Sequence, residues 1–529
     1  MRAMAITYVI PVGVAILVYV SLHLLLLYTH NKREPPLLET SIPFVSPIIG
    51  LNRKKTNYYV MLRDKYNLPI YTLRIPGSKL YVVNSPALIS AIQRQYRTLA
   101  FMPIVAKASI NVSRFSKTAS EIIILNSNGD DGYWGYIMTF HDAVAPSLVP
   151  GADLDGMNRA MLKLVAVSLN RLREQAATNV KLFGWVRHQM TLATTSAAYG
   201  PSNPYKDPTV EAAFWTFKAG MSQLILDFLP TWTASEAVTA LDFSASAFEN
   251  YFRDDDHAKG SALVQARYKH SIDHHMPLND IARSEFANGV ALLGNTVPNT
   301  FWMLYHVYSD PSVLEDCRKE LSDMVAHSDN AEGTRLRTID MSKVKTSCPI
   351  FLSTFKEVLR LYSTSVSARL VMEDHMLDNQ YLLKKGSTVL MPSPVQHHNA
   401  TVWGENHNIF NHRRFIASAT GKRPSPAGFR AFGGGTTLCP GRHFASTEIL
   451  AFTAVMLLQF DIKPKTGHWP KSPKTKAEFW EATSSPKDDF EVEIRPIESE
   501  VMDRDWAFTL SDLDQPIELS AEDLPLTEM

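Results

Sequence analysis

The chain has 529 residues, 45% hydrophobic, 20% charged and 10% aromatic, with 53 basic residues against 53 acidic ones. Such a composition supports a sizeable core in one large domain or two to three average ones, and a formal net charge of zero excludes an overall pull towards nucleic acid or an anionic surface. Three cysteines (Cys317, Cys348, Cys439) are too few for a disulfide framework and suit reducing surroundings.

From Ala5 to Tyr28 the residues are nearly all Ile, Val, Leu, Ala and Tyr, enough to cross a hydrocarbon core about 30 Å thick as a helix. A cleaved signal peptide would have a shorter apolar region and a small-residue cleavage site, so residues 1–30 are expected to be a membrane anchor. Lys32 and Arg33 follow it and argue that the rest of the chain stays cytoplasmic, with Arg2 and the terminal amine competing at the other end. Glu34-Pro35-Pro36 makes a stiff exit. Ile70 to Val83 reads as two strands around the turn Pro76-Gly77, and Pro86 to Gln95 as a helix with proline in its first turn.

Residues 100 to 260 are mostly helical by periodicity, with breaks near 126–131 and 200–208. Asn111-Val112-Ser113 and Asn399-Ala400-Thr401 match a glycosylation pattern that a cytosolic domain leaves unused. A helix is expected from Asp280 to Tyr308. Within it Pro298 has no N–H, so the Gly294 carbonyl loses its partner one turn on and the helix should kink. The groove this opens beside Asn295 would hold a water, or the bend serves packing alone. Over Phe351 to Tyr362 a helix places Glu357 and Arg360 on one face; taken alone, such a pair is a solvated ion pair of about 0.2–0.5 kcal/mol.

Phe432 to Ala445 reads as a loop opening into a helix. Gly433, Gly434 and Gly435 let the backbone lie flat against a partner or turn through positive φ, Pro440 suits a first helical position, and Ala445 to Phe460 is apolar at helical spacing. Cys439 would then sit near a helix N-terminus, where free N–H groups lower a thiol's pKa. A thiolate on such a loop suits the axial position of a flat iron macrocycle, while a lone cysteine can equally be an inert buried thiol. Past Pro496 the composition turns acidic, with Arg504 the only base from Glu498 to Met529. Residues 496–529 are expected to be a tail without fixed structure.

The run itself, with Gly435 three residues after Phe432, Cys439 four after that, Gly441 two later and a closing Phe444-Ala445, resembles the haem-binding signature of the cytochrome P450 superfamily. The resemblance implies a mainly α fold with a minor β portion, a triangular haem domain over residues 31–495 behind an N-terminal transmembrane helix. It implies haem b as cofactor, its iron held by Cys439, with Phe432 and Gly435 in the cofactor loop. Glu357 and Arg360 match the family's Glu-x-x-Arg. Phe410 to Phe415 resembles its Phe-x-Pro-Glu-Arg-Phe, with His412 in place of the proline and Arg413 of the acid. The implied structural triad is Glu357, Arg360 and Arg414, which would hold the cysteine loop. Ser365 to Arg369 would run beside the haem, with Arg369 on a propionate. His397 and Trp403-Gly404 fall at positions that are structural in relatives. Thr437 stands where relatives carry an arginine or histidine, and the Trp-x-x-x-Arg that reaches a propionate in many of them cannot be placed near Trp134.

In relatives the distal helix carries an acid and a threonine that deliver protons. Aligned on Trp302, Gly294 falls at the acid and Asn295 at the threonine; a slip of one residue makes Thr296 the hydroxyl. Asn295 and Thr296 are therefore the implied catalytic pair. Asn295 together with Pro298 resembles the sterol 7α-hydroxylase and prostacyclin synthase branch, and the chain is similar to its fungal microsomal members. The implied activity is oxidation of a lipophilic molecule, sterol-, terpenoid- or secondary-metabolite-like, using O₂ and electrons from NADPH through a cytochrome P450 reductase. Cytochrome b5 is a further implied partner, and the implied place is the cytosolic face of the endoplasmic reticulum membrane. Two alternatives stay open: a haem–thiolate isomerase or dehydratase working without reductase, and a non-catalytic haem binder. Lys422, Arg423, Arg430 and Arg442 flank the cysteine loop and would face an acidic reductase, or form only a solvated surface.

Overall fold

The computed structural model describes residues 2–329, 335–416, 428–497 and 504–510, with 517 and 519. The chain is mostly helical. Helices α1 (Arg2–Tyr28), α2 (Ser46–Lys54), α3 (Pro86–Gln93), α4 (Tyr136–Val144), α5 (Ala152–Arg173), α6 (Leu182–Tyr199), α7 (Leu278–Leu293), α8 (Thr296–Ser309), α9 (Pro349–Tyr362) and α10 (Arg442–Gln459) frame the site or its approaches. Helix α10 is buried continuously from Ser446 to Gln459, and α8 is buried over nearly its whole length. A helix that is apolar on every side belongs in a core, and these two run through the middle of the main one.

Strands are β1 (Ile70–Ile75), β2 (Ser78–Val83), β3 (Leu99–Ala100), β4 (Val325–Asp329), β5 (Arg335–Asp340), β6 (Val366–Val371), β7 (Thr388–Pro392) and β8 (Arg504–Thr509), with a few short pairs besides. Five of them form one sheet in the order β1-β2-β7-β6-β3. The β1–β2 hairpin pairs Ile70 with Val83 and turns at Gly77, whose φ of 71° suits glycine. In the same sheet Ala100 pairs with Leu370 and Val389 with Arg369, which fixes where Arg369 stands.

The distal helix expected as one element over 280–308 is two, α7 and α8, broken at Gly294-Asn295. The Gly294 N–H still donates to Val290 O at 2.9 Å, Pro298 has none to donate, and the ladder resumes from Asn299 N to Asn295 O at 3.2 Å.

The acidic tail requires a correction. Residues 504–509, expected to be unstructured, form β8, which pairs in parallel with β5 and sets Trp506 opposite Arg337. Asn170 Nδ2 donates to Trp506 O at 3.2 Å and Arg159 Nη1 to Leu510 O at 2.7 Å, so the strand is tied to α5. The acidic average hides a short apolar run, Trp506-Ala507-Phe508, and burying Trp506 is enough to order it. Residues 498–503 and most of those after Leu510 lie outside the described ones.

Helix α1 buries Leu26, near its end, while Leu17, Leu24 and Leu27 are exposed. Among the described residues no helix is long and apolar enough to cross a membrane.

Candidate cofactor site at Cys439

The loop before α10 is closed by a hydrogen bond from Cys439 N to Phe432 O at 2.9 Å. Gly433 and Gly435 have φ of 82° and 58°, and a Cβ on Gly433 would come within 2.9 Å of Thr437 O. The glycines are therefore needed for the loop's shape, not for mobility. Helix α10 begins at Arg442 with Gly441 as its cap, two residues later than Pro440, where the sequence pointed.

Of the three thiols, Cys439 alone lines the cavity between the cysteine loop and the α7–α8 break. Cys317 and Cys348 are fully buried, and burial pushes both thiols up to about 12, which keeps them protonated. Cys439 is half-buried and opens on a cavity of about 270 Å³ between the cysteine loop and the α7–α8 break. Burial raises its pKa as well, with the Gly441 N–H and the Arg442 charge opposing it only in part. The lowered pKa expected from the helix N-terminus is thus outweighed in the protein by desolvation. Coordination to a cation reverses that balance, because a ligating thiol is deprotonated.

Arg369 is 1% exposed. Its guanidinium donates to Ser367 Oγ at 3.0 Å, Ala368 O at 2.8 Å and Thr437 Oγ1 at 2.9 Å, and lies over the Phe101 ring at 5.2 Å. No carboxylate pairs with it among the described residues. Burial, with Arg430's charge nearby, pulls its pKa down to about 10. A buried cation without a counter-ion is costly, and this one bonds Thr437, which lines the thiol's cavity. This donor set fits an anionic iron macrocycle: sulfur for the metal, arginine for a carboxylate, and bare glycine backbone for a flat face. Thr437 links the two parts, accepting from Arg369 while donating to Gly434 O at 3.1 Å.

Glu357, Arg360 and Arg414 form a closed ion-paired group. Arg360 grips Glu357 with two bonds of 2.8 Å, and Arg414 Nε lies 2.9 and 3.0 Å from the two carboxylate oxygens. Asn411 N adds a fourth donor at 3.1 Å. Arg360 also donates to His397 O at 2.6 Å, and His397 Nε2 accepts from Arg430 N at 2.8 Å, two residues before Phe432. Burial holds His397 neutral, well below its ordinary pKa, as an accepting ring nitrogen requires. The path from triad to cysteine loop therefore runs through His397. His412 and Arg413, at the altered positions, both bond Asp316, at 2.8 and 2.6 Å.

On the distal side Asn295 and Thr296 both line the cavity. Thr296 Oγ1 donates back to Leu292 O at 2.9 Å, so its proton is engaged in the helix. The Asn295 amide has no partner among the described residues, whereas Asn299 Nδ2 donates to Asn295 O at 2.9 Å and to Thr483 Oγ1 at 3.0 Å. Sequence reasoning missed Asn299, Thr483 and Phe101, and placed Arg430 only on a docking face. Only Asn299 carried a signal, one turn beyond Asn295. Of the basic residues expected on a docking face, Arg442 Nη1 is drawn to Cys439 O at 3.2 Å and Arg430 lines the cavity; Lys422 and Arg423 lie outside the described residues.

A family profile described as Cytochrome P450 matches residues 35–488. The chain is 33% identical over 496 residues to the cytochrome P450 monooxygenase nodJ of Hypoxylon pulicicidum, covering 92% of this chain and 95% of that one. It is 27% identical over 451 residues to a cytochrome P450 monooxygenase of Gibberella zeae (83% and 84%). Cholesterol 7-alpha-monooxygenase of Cricetulus griseus is 26% identical over 199 residues, 35% of this chain and 39% of that one.

Proposed function

This chain belongs to the cytochrome P450 family and is a haem monooxygenase, and from that premise we propose that Cys439 is its thiolate ligand and a lipophilic small molecule its substrate. The substrate would be sterol-, terpenoid- or secondary-metabolite-like, and the electrons would come from NADPH through a cytochrome P450 reductase, with cytochrome b5 as a further donor. Haem supplies the dioxygen and redox chemistry when bound, tuned by thiolate ligation. The chain's own part is placement. The glycine-lined loop presents sulfur from one side, Arg369 anchors a carboxylate, and the triad holds the loop through His397. Asn295 is the distal polar group: its free amide and the Gly294 carbonyl released by Pro298 can hold a water at the cavity wall, while the Thr296 hydroxyl is spent on Leu292 O.

One observation carries this reading: of three thiols, Cys439 alone faces the cavity. In the carbon-monoxide difference spectrum, Cys439→Ala should lose the red-shifted band of thiolate ligation while Cys317→Ala keeps it. A Cys439→Ala protein that retained the band would rule out this ligand. Product formed without consumption of NADPH and O₂ would overturn the reductase dependence.

A membrane place for the chain is part of the proposal, with α1 as anchor at the endoplasmic reticulum and the body on the cytosolic side. Ile42, Val45, Ile48 and Ile49 are exposed at and before α2, and Leu226, Phe228, Leu229 and Trp232 are exposed in a second segment, Trp232 at 84%. Glu478 ties the two together, lying 3.3 Å from Lys55 Nζ and 3.2 Å from Ser222 Oγ. Two apolar patches on one side, next to an apolar N-terminal helix, suit partial immersion in a lipid interface.

A further inference from the structure

Three polar side chains of one cavity wall carry hydrogen-bonding groups that the fold does not use. Asn299 on α8, Ser363 at the end of α9 and Thr483 line the cavity on which Cys439 opens, and are 4%, 3% and 5% exposed. The orientation of the Asn299 amide is fixed, because its Nδ2 donates to a carbonyl, Asn295 O, as well as to Thr483 Oγ1. Its Oδ1 is shut off from solvent and has no partner among the described residues. Ser363 Oγ is in the same state. Thr483 Oγ1 accepts from Asn299, and its own proton has no acceptor among the described residues.

These side chains are braced where they stand. Ser363 and Thr483 form a β-bridge. Beside it Thr364 N donates to Ala482 O at 2.8 Å and Ser484 N to Tyr362 O at 3.0 Å. Trp302, three residues after Asn299, stacks on Tyr362 with ring centroids 3.8 Å apart, and its Nε1 donates to Ser484 O at 2.8 Å. Other hydroxyls of the same cavity are engaged: Ser365 with Ser393, Ser367 with Arg369 and Thr296 with Leu292 O. A buried polar group without a partner is destabilising and calls for a reason. Haem does not supply the missing partner, because its outward polar groups are carboxylates, acceptors that cannot serve the accepting Asn299 Oδ1.

We propose that this wall recognises a hydroxyl of the substrate, which donates to Asn299 Oδ1 and accepts from the Ser363 and Thr483 hydroxyls. The inference rests on the reading of Cys439 as the haem ligand and narrows the substrate to a lipophilic alcohol. An ether or a ketone would satisfy the two hydroxyls and leave Oδ1 unpaired; a hydrocarbon would leave all three. A site built to bond a hydroxyl rejects analogues that lack one far more strongly than an apolar pocket rejects a change of size. Asn299, Ser363 and Thr483 are thus specificity-determining residues: they select and orient the substrate.

Alkylimidazoles of graded length test this on the full chain loaded with haem, each compared with its ω-hydroxy and ω-methoxy partners. The imidazole nitrogen binds the iron and shifts the haem absorption, so each Kd is read without the natural substrate. At one chain length the alcohol should bind roughly ten-fold more tightly than the methyl ether or the alkane. Asn299→Leu should abolish that preference while still binding the alkane. Ser363→Ala, which removes a hydroxyl with no partner in the fold, should reduce it. Alcohol, ether and alkane binding alike at every length would mean that the wall holds only water, and overturns the proposal. A preference undiminished in Asn299→Leu overturns it too, and if that variant fails to hold haem, an undiminished preference in Ser363→Ala does so. The carbon-monoxide difference spectrum keeps the two readings apart: a wild type without the thiolate band fails at Cys439, whereas a normal band with no preference for the alcohol fails at Asn299.

Discussion

Glu357→Gln puts the proposed support of the cysteine loop to the sharpest test. Glu357 and Arg360 are both 0% exposed, and the carboxylate accepts from Arg360, Arg414 and Asn411 N. Glutamine keeps one oxygen and turns an NH₂ towards guanidinium donors, leaving the buried Arg360 charge uncompensated. Removing one partner of a buried ion pair costs about 3–5 kcal/mol, a large part of the roughly 5–15 kcal/mol by which domains are stable. With an unfolding entropy of about 2.1 cal/mol/K per residue, a chain of this size should lose about 3–5 °C in Tm. Haem content should fall further than that loss alone explains, because Arg360 no longer fixes His397 O and with it the Arg430 N contact. Thermal unfolding of the purified chain and the haem-to-protein ratio measure the two effects. The companion variant Glu357→Leu/Arg360→Met/Arg414→Met removes all three charges of the group, and should be less destabilised than Glu357→Gln, since replacing a whole buried ion-paired group is often near neutral. A triple variant as unstable as the sum of its single changes would refute the account of a buried charge left without a partner. Unchanged haem content in Glu357→Gln would refute the link to the loop.

Two further outcomes follow from groups outside the cofactor site. Glu448 on α10 is buried, bonded to the Thr194 hydroxyl and otherwise unpartnered at Oε2, and burial raises its pKa to about 8. A raised folded-state value means its contribution to stability is full below the ordinary carboxyl range and is lost as pH climbs through about 8. Glu448→Gln should flatten the fall in Tm between about pH 4.3 and 8; the same slope in both proteins would show that the carboxyl is ionised in the fold. Trp506, 3% exposed on β8, should cost about 3–5 kcal/mol on change to alanine. If Trp506→Ala leaves the thermal unfolding of the chain unmoved, β8 is not a structural part of the body.

How far the sequence could be read depends on the range of the interactions. The cysteine loop was legible because its requirements are local: Gly433 and Gly435 supply positive φ, and the Cys439 N–H reaches Phe432 O within one short loop. The distal break was legible for the same reason, since a proline removes its hydrogen bond wherever it stands in a helix. The tail was misread because composition averages over residues, and the apolar run at Trp506 becomes a strand only when β5 and α5 are there to cover it. The contacts of the proximal charges were not legible either: Arg442 turns one nitrogen to Cys439 O and Arg430 lines the cavity, which no run of basic residues encodes.

The sequence by itself determined the glycine-shaped loop at Cys439, the distal break at Pro298 and the Glu357–Arg360 face, and carried the resemblance to the cytochrome P450 family, because each is written in a short stretch of chain. Tertiary structure alone decided that the triad reaches the loop through His397, that Asn295 and not Thr296 keeps a free polar group, and that Asn299 shares a cavity with Ser363 and Thr483. Those are contacts between segments that approach only when the core closes. Burial then sets which hydrogen bonds and charges must find partners, a condition that no local pattern encodes.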